Sequence, residues 1–287
     1  MSGPTDAGAL PPSEIDDYVA RVLLEDLGDG GDVTSRATIG AEARFTATMN
    51  CREPIVVAGI GLAEAFFRAL DCEVMIERCV EDGEAIAAGR VMLRLSGNAR
   101  AMLAAERSAL NTLQHLSGIA TLTRRYVEAI AGTGAILLDT RKTIPGLRAL
   151  GKYAARMGGA HNHRLRLDDG VLIKDNHVGV CGGVAAAVRA AKAADSGLPI
   201  QVEVDRIDQI EPALAAGADR LLLDNMPPET LRVAVALVAG RVPLEASGGV
   251  RLDTIRAIAE SGVTYVSVGR ITQSAPAVDI GLDYSLT

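Results

Sequence analysis

Basic side chains crowd three short motifs in the middle of this chain. Arg141 and Lys142 lie in Asp139-Thr-Arg-Lys-Thr143, His163 and Arg164 in Asn162-His-Arg164, and Lys174 and His177 in Lys174-Asp-Asn-His177. Lysine and arginine bind carboxylates and phosphates, arginine through a two-pronged fork. Cations at a helix start are unfavourable without an anion to meet them. The cluster therefore reads as a pocket for a small ligand with several negative charges. Each histidine has a plainer reading as a core or capping residue.

Two acids and two glycine turns extend the chemistry. Glu203 and Asp224 end successive apolar runs. Such carboxylates suit a cation of the Mg²⁺ kind, held partly through substrate oxygens and water; capping of the helices that follow is the plainer alternative. Ser247-Gly248-Gly249 precedes a helical pattern, and Gly269 follows the last apolar run. Backbone N–H groups of such turns can surround a phosphate.

The elements that must position these groups alternate. Residues 135–138, 171–173, 200–204, 220–223, 244–246 and 265–268 are short apolar runs. Helical patterns separate them, over 184–194, 207–216, 228–238 and 252–260. Repeated alternation of this kind predicts a parallel sheet with right-handed crossovers. Asp139, Lys174, Glu203, Asp224, Ser247 and Gly269 all follow strands, as ligand-binding residues do in (β/α) barrels. Six strands predict an incomplete barrel of the α/β class.

The amino-terminal part reads differently. Ser13 can cap a helix running to Leu27, and residues 26–32 form a Gly/Asp-rich break. Residues 44–49 alternate as a strand with one wet face, 61–71 read as a short helix, and 73–95 as further strands turning at Asp82-Gly83 and Gly89. Helical patterns follow over 99–116 and 119–131. This predicts an α+β open-sandwich domain over 13–117, after a disordered tail over 1–12. The barrel domain is expected over 118–274, with a carboxy-terminal segment, 275–287, packing back on the amino-terminal domain.

Composition narrows the class. Of 287 residues 48% are hydrophobic, with no Trp and only 3 Phe, so the core is built from Ala, Val, Leu and Ile. The net charge of −7 argues against a broad nucleic-acid surface and makes the central cations a local site. Cys51, Cys72, Cys79 and Cys181 lack paired metal spacing. With no membrane-length apolar run and no leader pattern, a cytoplasmic protein with reduced thiols is expected.

A resemblance makes the reading specific. Glu106-Arg-Ser-Ala-Leu-Asn111, Leu116-Ser-Gly-Ile-Ala120, Asp139-Thr-Arg-Lys-Thr143, Lys152-Tyr153, Asn162-His-Arg164 and Leu172-Ile-Lys-Asp-Asn-His177 resemble motifs of the quinolinate phosphoribosyltransferase family. So do Val202-Glu-Val204, Leu223-Asp-Asn225, Glu245-Ala-Ser-Gly248 and Ser267-Val-Gly269, in the same order, and Glu25-Asp-Leu-Gly-Asp29 with Gly31-Asp-Val-Thr34 near the start. The chain departs from the family pattern at Ala160, His161, Arg166 and Gln273.

The resemblance implies transfer of phosphoribosyl from phosphoribosyl pyrophosphate to quinolinate with loss of CO₂, giving nicotinate mononucleotide for de novo NAD synthesis. It implies Mg²⁺ and a homodimer, or higher oligomer, with shared active sites. It assigns Arg141, Lys142, His163, Arg164 and Lys174 to quinolinate and pyrophosphate, with Lys142, Glu203 and Asp224 catalytic. It places Arg107 on the quinolinate of the neighbouring subunit; alone, Arg107 would read as a solvated charge. It gives Glu203 and Asp224 to ribose and metal, and Ser247, Gly248, Gly249 and Gly269 to the 5-phosphate. Two alternatives stand beside it: a related phosphoribosyltransferase for another pyridine or a molybdenum-pathway paralogue, the latter opposed by intact Thr140-Arg-Lys-Thr143 and Asn162-His-Arg164, and a catalytically silent protein on the same fold. The second would need one of these cations or acids to be missing, and none is.

Overall fold

The computed structural model describes residues 10–285. The chain forms two compact units. The first reaches to Arg124 and takes in Ala149–Gly159 and the chain from Ser274; the second comprises Arg125–Arg148 and Ala160–Gln273.

The first unit opens with helix α1 (Pro12–Leu27). Pro11 occupies the N-cap and no side chain caps the helix, so Ser13 is not its cap. Proline at the first helical position needs no N–H partner and already has the right φ. Most of the expected tail, residues 1–9, lies outside the described residues, and Pro12 is already helical. The Gly/Asp-rich break leads into a short helix, α2 (Val33–Thr38), which Asp32 caps by accepting the Ser35 N–H at 2.9 Å.

Next come β1 (Arg44–Cys51), β2 (Ile55–Val56), α3 (Ile60–Leu70), β3 (Met75–Arg78), β4 (Ala85–Ile86) and β5 (Val91–Asn98). In β1 the alternate residues Phe45, Ala47, Met49 and Cys51 are buried, the signature of a sheet covered on one side. They pack with Phe66 and Phe67 of α3, Met92 and Leu93 of β5, and Val19 and Leu23 of α1. Helix α4 (Ala99–Ala129) is continuous where two helices were expected. Ser117-Gly118 reads as a break, but Gly118 is there for close packing. A β-carbon on it would stand 2.1 Å from the Pro276 carbonyl oxygen.

The second unit is built on a parallel sheet. Strand β6 (Ile136–Leu138) precedes α5 (Arg148–Met157), which belongs to the first unit. Then follow β7 (Val171–Ile173), α6 (Asp175–Val180), α7 (Val184–Ala193), β8 (Ile200–Val204), α8 (Ile210–Ala215), β9 (Arg220–Asp224), α9 (Pro228–Val238), β10 (Leu244–Ser247), α10 (Ile255–Ala259), β11 (Tyr265–Ser267) and α11 (Arg270–Gln273). The strand order is β6-β11-β10-β9-β8-β7, all parallel. The sheet is open among the described residues, so the barrel is not closed. Helices α5 and α6 are elements that the apolar rhythm did not reveal.

The final strand, β12 (Ile280–Ser285), pairs antiparallel with β1, giving the first unit a sheet of order β12-β1-β5-β3.

Register sorts the parallel strands into two faces. Val202, Leu221, Leu223, Ala246, Val266 and Leu137 share one face and are buried. On the other face the side chains are mostly polar, and that face is where the chemistry gathers.

Candidate active site

The polar face of the sheet floors an open pocket of about 910 Å³. Lys174, Glu203, Asp224, Ser247 and Gly269 sit at or just beyond the carboxyl ends of β7, β8, β9, β10 and β11. Each of them lines the pocket, as do Arg141, Lys142, His163, Arg164, Gly248 and Gly249. All but two of the sequence-predicted site residues are thus brought together. The exceptions are Arg107, exposed on α4 in the first unit, and His177, exposed on α6; neither is part of the pocket lining.

The cationic wall is held by a buried acid. Asp139, fully buried after β6, accepts the His163 backbone N–H at 2.8 Å and the Asn162 amide at 2.5 Å. It thereby fixes the Asn162-His-Arg164 segment beside the Thr140-Arg-Lys-Thr143 loop. Arg164 donates to the Gly170 carbonyl at 2.8 Å, and Thr272 Oγ1 donates to the Lys142 carbonyl at 2.8 Å. Burial, then the Arg141 charge, push the Arg164 guanidinium below its ordinary value. Two guanidiniums held in each other's field gain most from an anion placed between them.

The histidines turn out differently from the arginines. His163 Nδ1 accepts the Arg164 N–H at 2.8 Å, and His177 Nδ1 accepts the Lys174 N–H at 2.9 Å. In each ring Nδ1 is thereby taken up by a backbone donor. His177 caps the start of α6. His163 presents Nε2 to the carboxylate of Glu245, 3.5 Å away.

Glu245 is a residue that sequence reading missed, although a charge in the middle of a buried strand was a signal. It is fully buried in the pocket floor and accepts the Gln201 amide at 2.8 Å. Burial raises its carboxyl, but hydrogen bonding from His163, Gln201 and Ser267 more than offsets this and holds it below the usual carboxylate range. Arg220 Nη1 lies 3.8 Å from the same carboxylate and its guanidinium stacks over Tyr265. Asp175, Asn225, Arg251 and Arg270 also line the pocket and were likewise not predicted.

The acids lie in the field of two lysines of the pocket. Burial, then the neighbouring charge of Asp224, raise the Glu203 carboxyl, while Lys174 pulls it down. Burial also raises Asp224, against an Asn225 hydrogen bond and the Lys142 charge. Partly buried carboxylates in each other's field are relieved by a cation. Among the described residues no cluster of three or more His, Cys, Asp or Glu forms a complete metal cage. Two carboxylates fit Mg²⁺ when phosphate oxygens and water complete its shell. Ser247-Gly-Gly249 and Gly269 also bring turns to the pocket.

Cations, acids and glycine turns at the carboxyl ends of a parallel sheet define an α/β protein with a pocket whose charge suits anionic ligands. Comparison with known proteins says which one. Residues 32–117 match the quinolinate phosphoribosyl transferase amino-terminal domain, and 119–283 match the carboxy-terminal domain of the same family. The chain belongs to the quinolinate phosphoribosyltransferase family. It is 46% identical over 275 residues to the nicotinate-nucleotide pyrophosphorylase [carboxylating] of Mycobacterium leprae, covering 93% of this chain and 96% of that protein. It is 39% identical to the quinolinate phosphoribosyltransferase [decarboxylating] 2, mitochondrial, of Nicotiana glauca, over 96% of this chain and 83% of that one. The solved nicotinate-nucleotide pyrophosphorylase of Francisella tularensis superposes with a TM-score of 0.92 at 39% identity, over 96% of this chain and 98% of that one.

Proposed function

We propose that this chain joins quinolinate to phosphoribosyl pyrophosphate, releasing pyrophosphate and CO₂ and leaving nicotinate mononucleotide for NAD synthesis. One observation carries the reading: a single pocket is lined by the cations Arg141, Lys142, Arg164, Lys174, Arg251 and Arg270 together with acids that include Glu203 and Asp224. That is the charge pattern of a site taking a dicarboxylate and a polyphosphate donor.

The chemistry follows from the geometry. Arg141, Arg164 and Lys174 orient the two carboxylates of quinolinate, and the ring of His163 packs beside them. Lys142 neutralises the departing pyrophosphate. The Ser247-Gly-Gly249 and Gly269 turns hold the 5-phosphate. As the pyridine nitrogen attacks the sugar carbon, the bond to pyrophosphate breaks and positive charge grows on the ring. Glu203 and Asp224 stabilise that charge. The nitrogen becomes quaternary. The bond to the adjacent carboxylate then breaks, CO₂ leaves, and the electron pair stays on the carbon beside the positive nitrogen until a solvent proton replaces the lost group. No general base is required; orientation and desolvation of the carboxylate suffice.

Mg²⁺ would be held by Glu203 and Asp224 together with donor oxygens and water, and supplies charge neutralisation of the pyrophosphate. Arg107 acts across a homodimer, its exposed position on α4 leaving it to serve a neighbouring chain. The cytoplasm is the place of action, where four unbridged cysteines stay reduced. No helix among the described residues is long and apolar enough to cross a membrane. Purified protein given quinolinate, phosphoribosyl pyrophosphate and Mg²⁺ should release CO₂ and form nicotinate mononucleotide in equal amounts. Pyrophosphate release without CO₂ would contradict the reading.

A further inference from the structure

Strand β9 ends on Asp224, and the next residue has an unusual backbone. Asn225 has a φ of 53°, in the left-handed region. Asp195 and Ala239 share this conformation, but neither lines the pocket, and Ala239 closes the end of α9. A left-handed non-glycine residue in a site costs backbone strain and persists where its surroundings demand it.

Three contacts say what demands it. The side-chain amide of Asn225 donates to Asp224 Oδ2 at 2.5 Å. Its backbone N–H donates to the Ser247 carbonyl at 2.8 Å, tying the end of β9 to the end of β10. Its Oδ1 lies over Gly248, where a β-carbon would stand 2.2 Å from it. Gly248 is itself left-handed, with a φ of 93°. The Asn225 side chain thus spans the gap between an acid and the glycine turn.

We propose that Asn225 is a positioning residue: it aims the Asp224 carboxylate into the pocket and locks it to the turn at Gly248. Residue chemistry singles out asparagine. Glycine would take the backbone but has no amide to donate. Aspartate would take the backbone but would set a second negative charge beside Asp224. Asparagine tolerates the left-handed region and supplies the donor. The inference deepens the phosphoribosyl-transfer reading, on which it rests for the role of Asp224.

The test uses Asn225→Gly, which keeps the backbone conformation without strain and deletes only the side chain, in the full-length protein. Loss of such an outer partner should lower kcat about ten- to a hundredfold while the quinolinate KM stays within about twofold. Residues that act through one another are not additive. Adding Asn225→Gly to Asp224→Asn should therefore cost nothing beyond Asp224→Asn alone. Unchanged kcat in Asn225→Gly, or losses that multiply in the double variant, would overturn the proposal. A crystal structure of Asn225→Gly decides independently of turnover. The proposal requires the Asp224 carboxylate to shift or split, and an unmoved carboxylate overturns it. If the wild-type protein does not turn over quinolinate, the functional reading fails, while the crystal structure of the variant still shows whether Asn225 aims Asp224.

Discussion

Lys142 and Gly269 are fitted to each other: a β-carbon on Gly269 would stand 2.6 Å from Lys142 Cδ. The turn after β11 is shaped around the stem of a lysine delivered by the loop after β6. Thr272, one turn further on, holds the Lys142 carbonyl. Glycine at 269 therefore makes room for the lysine side chain.

Gly269→Ala should displace Lys142 and leave the core alone. Misplacing a catalytic group by about 1 Å can cost about a hundredfold in rate. Steady-state kinetics should show that order of loss in kcat, with Tm close to wild type. A wild-type kcat would mean that the lysine is free to move or plays no part.

Asp224→Ala separates sugar chemistry from acid binding. Removing one preorganised electrostatic contact costs on the order of 3 kcal/mol of transition-state stabilisation, which is a fall in rate of about a hundredfold. Calorimetric titration with quinolinate should give nearly the wild-type affinity. Chelation of divalent ions should likewise stop turnover of the wild-type protein without abolishing quinolinate binding. An Asp224→Ala protein with full activity would move the acid site elsewhere.

Glu245 gives a pH signature. Its folded-state carboxyl lies below the usual range, burial being outweighed by hydrogen bonds from His163, Gln201 and Ser267. A depressed carboxyl contributes stability above its unfolded pKa and loses it as pH falls through the folded value. Glu245→Gln should therefore lower Tm at pH 7, and the gap to wild type should close on acidification below the ordinary carboxylate range. Thermal melts from pH 7 down to about pH 2, through and below the ordinary carboxylate range, measure this. A gap that widens in acid would reverse the sign and contradict the hydrogen-bonded role of Glu245.

Arg107 lies outside the pocket lining of its own chain. If it serves a partner's quinolinate, inactive Arg107→Ala and Lys142→Ala proteins should complement. In a mixed dimer one site collects both changes and the other neither. Dissociating and re-associating the pair should recover part of the activity, up to about a quarter of wild type when half the dimers are mixed and one site in each is intact. Mixed dimers that form and stay inactive would make Arg107 a residue of its own chain.

Much of this site could be read from the residues in order. Lys174, Glu203, Asp224, Ser247 and Gly269 follow apolar runs, and in a parallel sheet such positions converge on one edge. Other features depend on partners distant in sequence. The proton acceptors on His163 and His177 are defined by backbone N–H groups whose direction no spacing reveals. Glu245 is explained by Gln201, 44 residues away. Gly118 looked like a helix break because the Pro276 carbonyl that it accommodates lies far along the chain. Strand β12 shows its role only when paired with β1. Helix α5 hid in a segment whose basic motifs drew attention to its flanks.

The central claim is that this pocket reads both carboxylates of its acid and couples their recognition to loss of one of them. Quinolinate and nicotinate differ by that one carboxylate. Sites built to pair a polar substrate group reject analogues lacking it by about ten-thousandfold when the partners are left bare. The direct measurement is kcat/KM for each acid, with phosphoribosyl pyrophosphate and Mg²⁺ in excess, following mononucleotide formation. Quinolinate should be favoured by at least on the order of a thousandfold. Comparable turnover of nicotinate would contradict the claim.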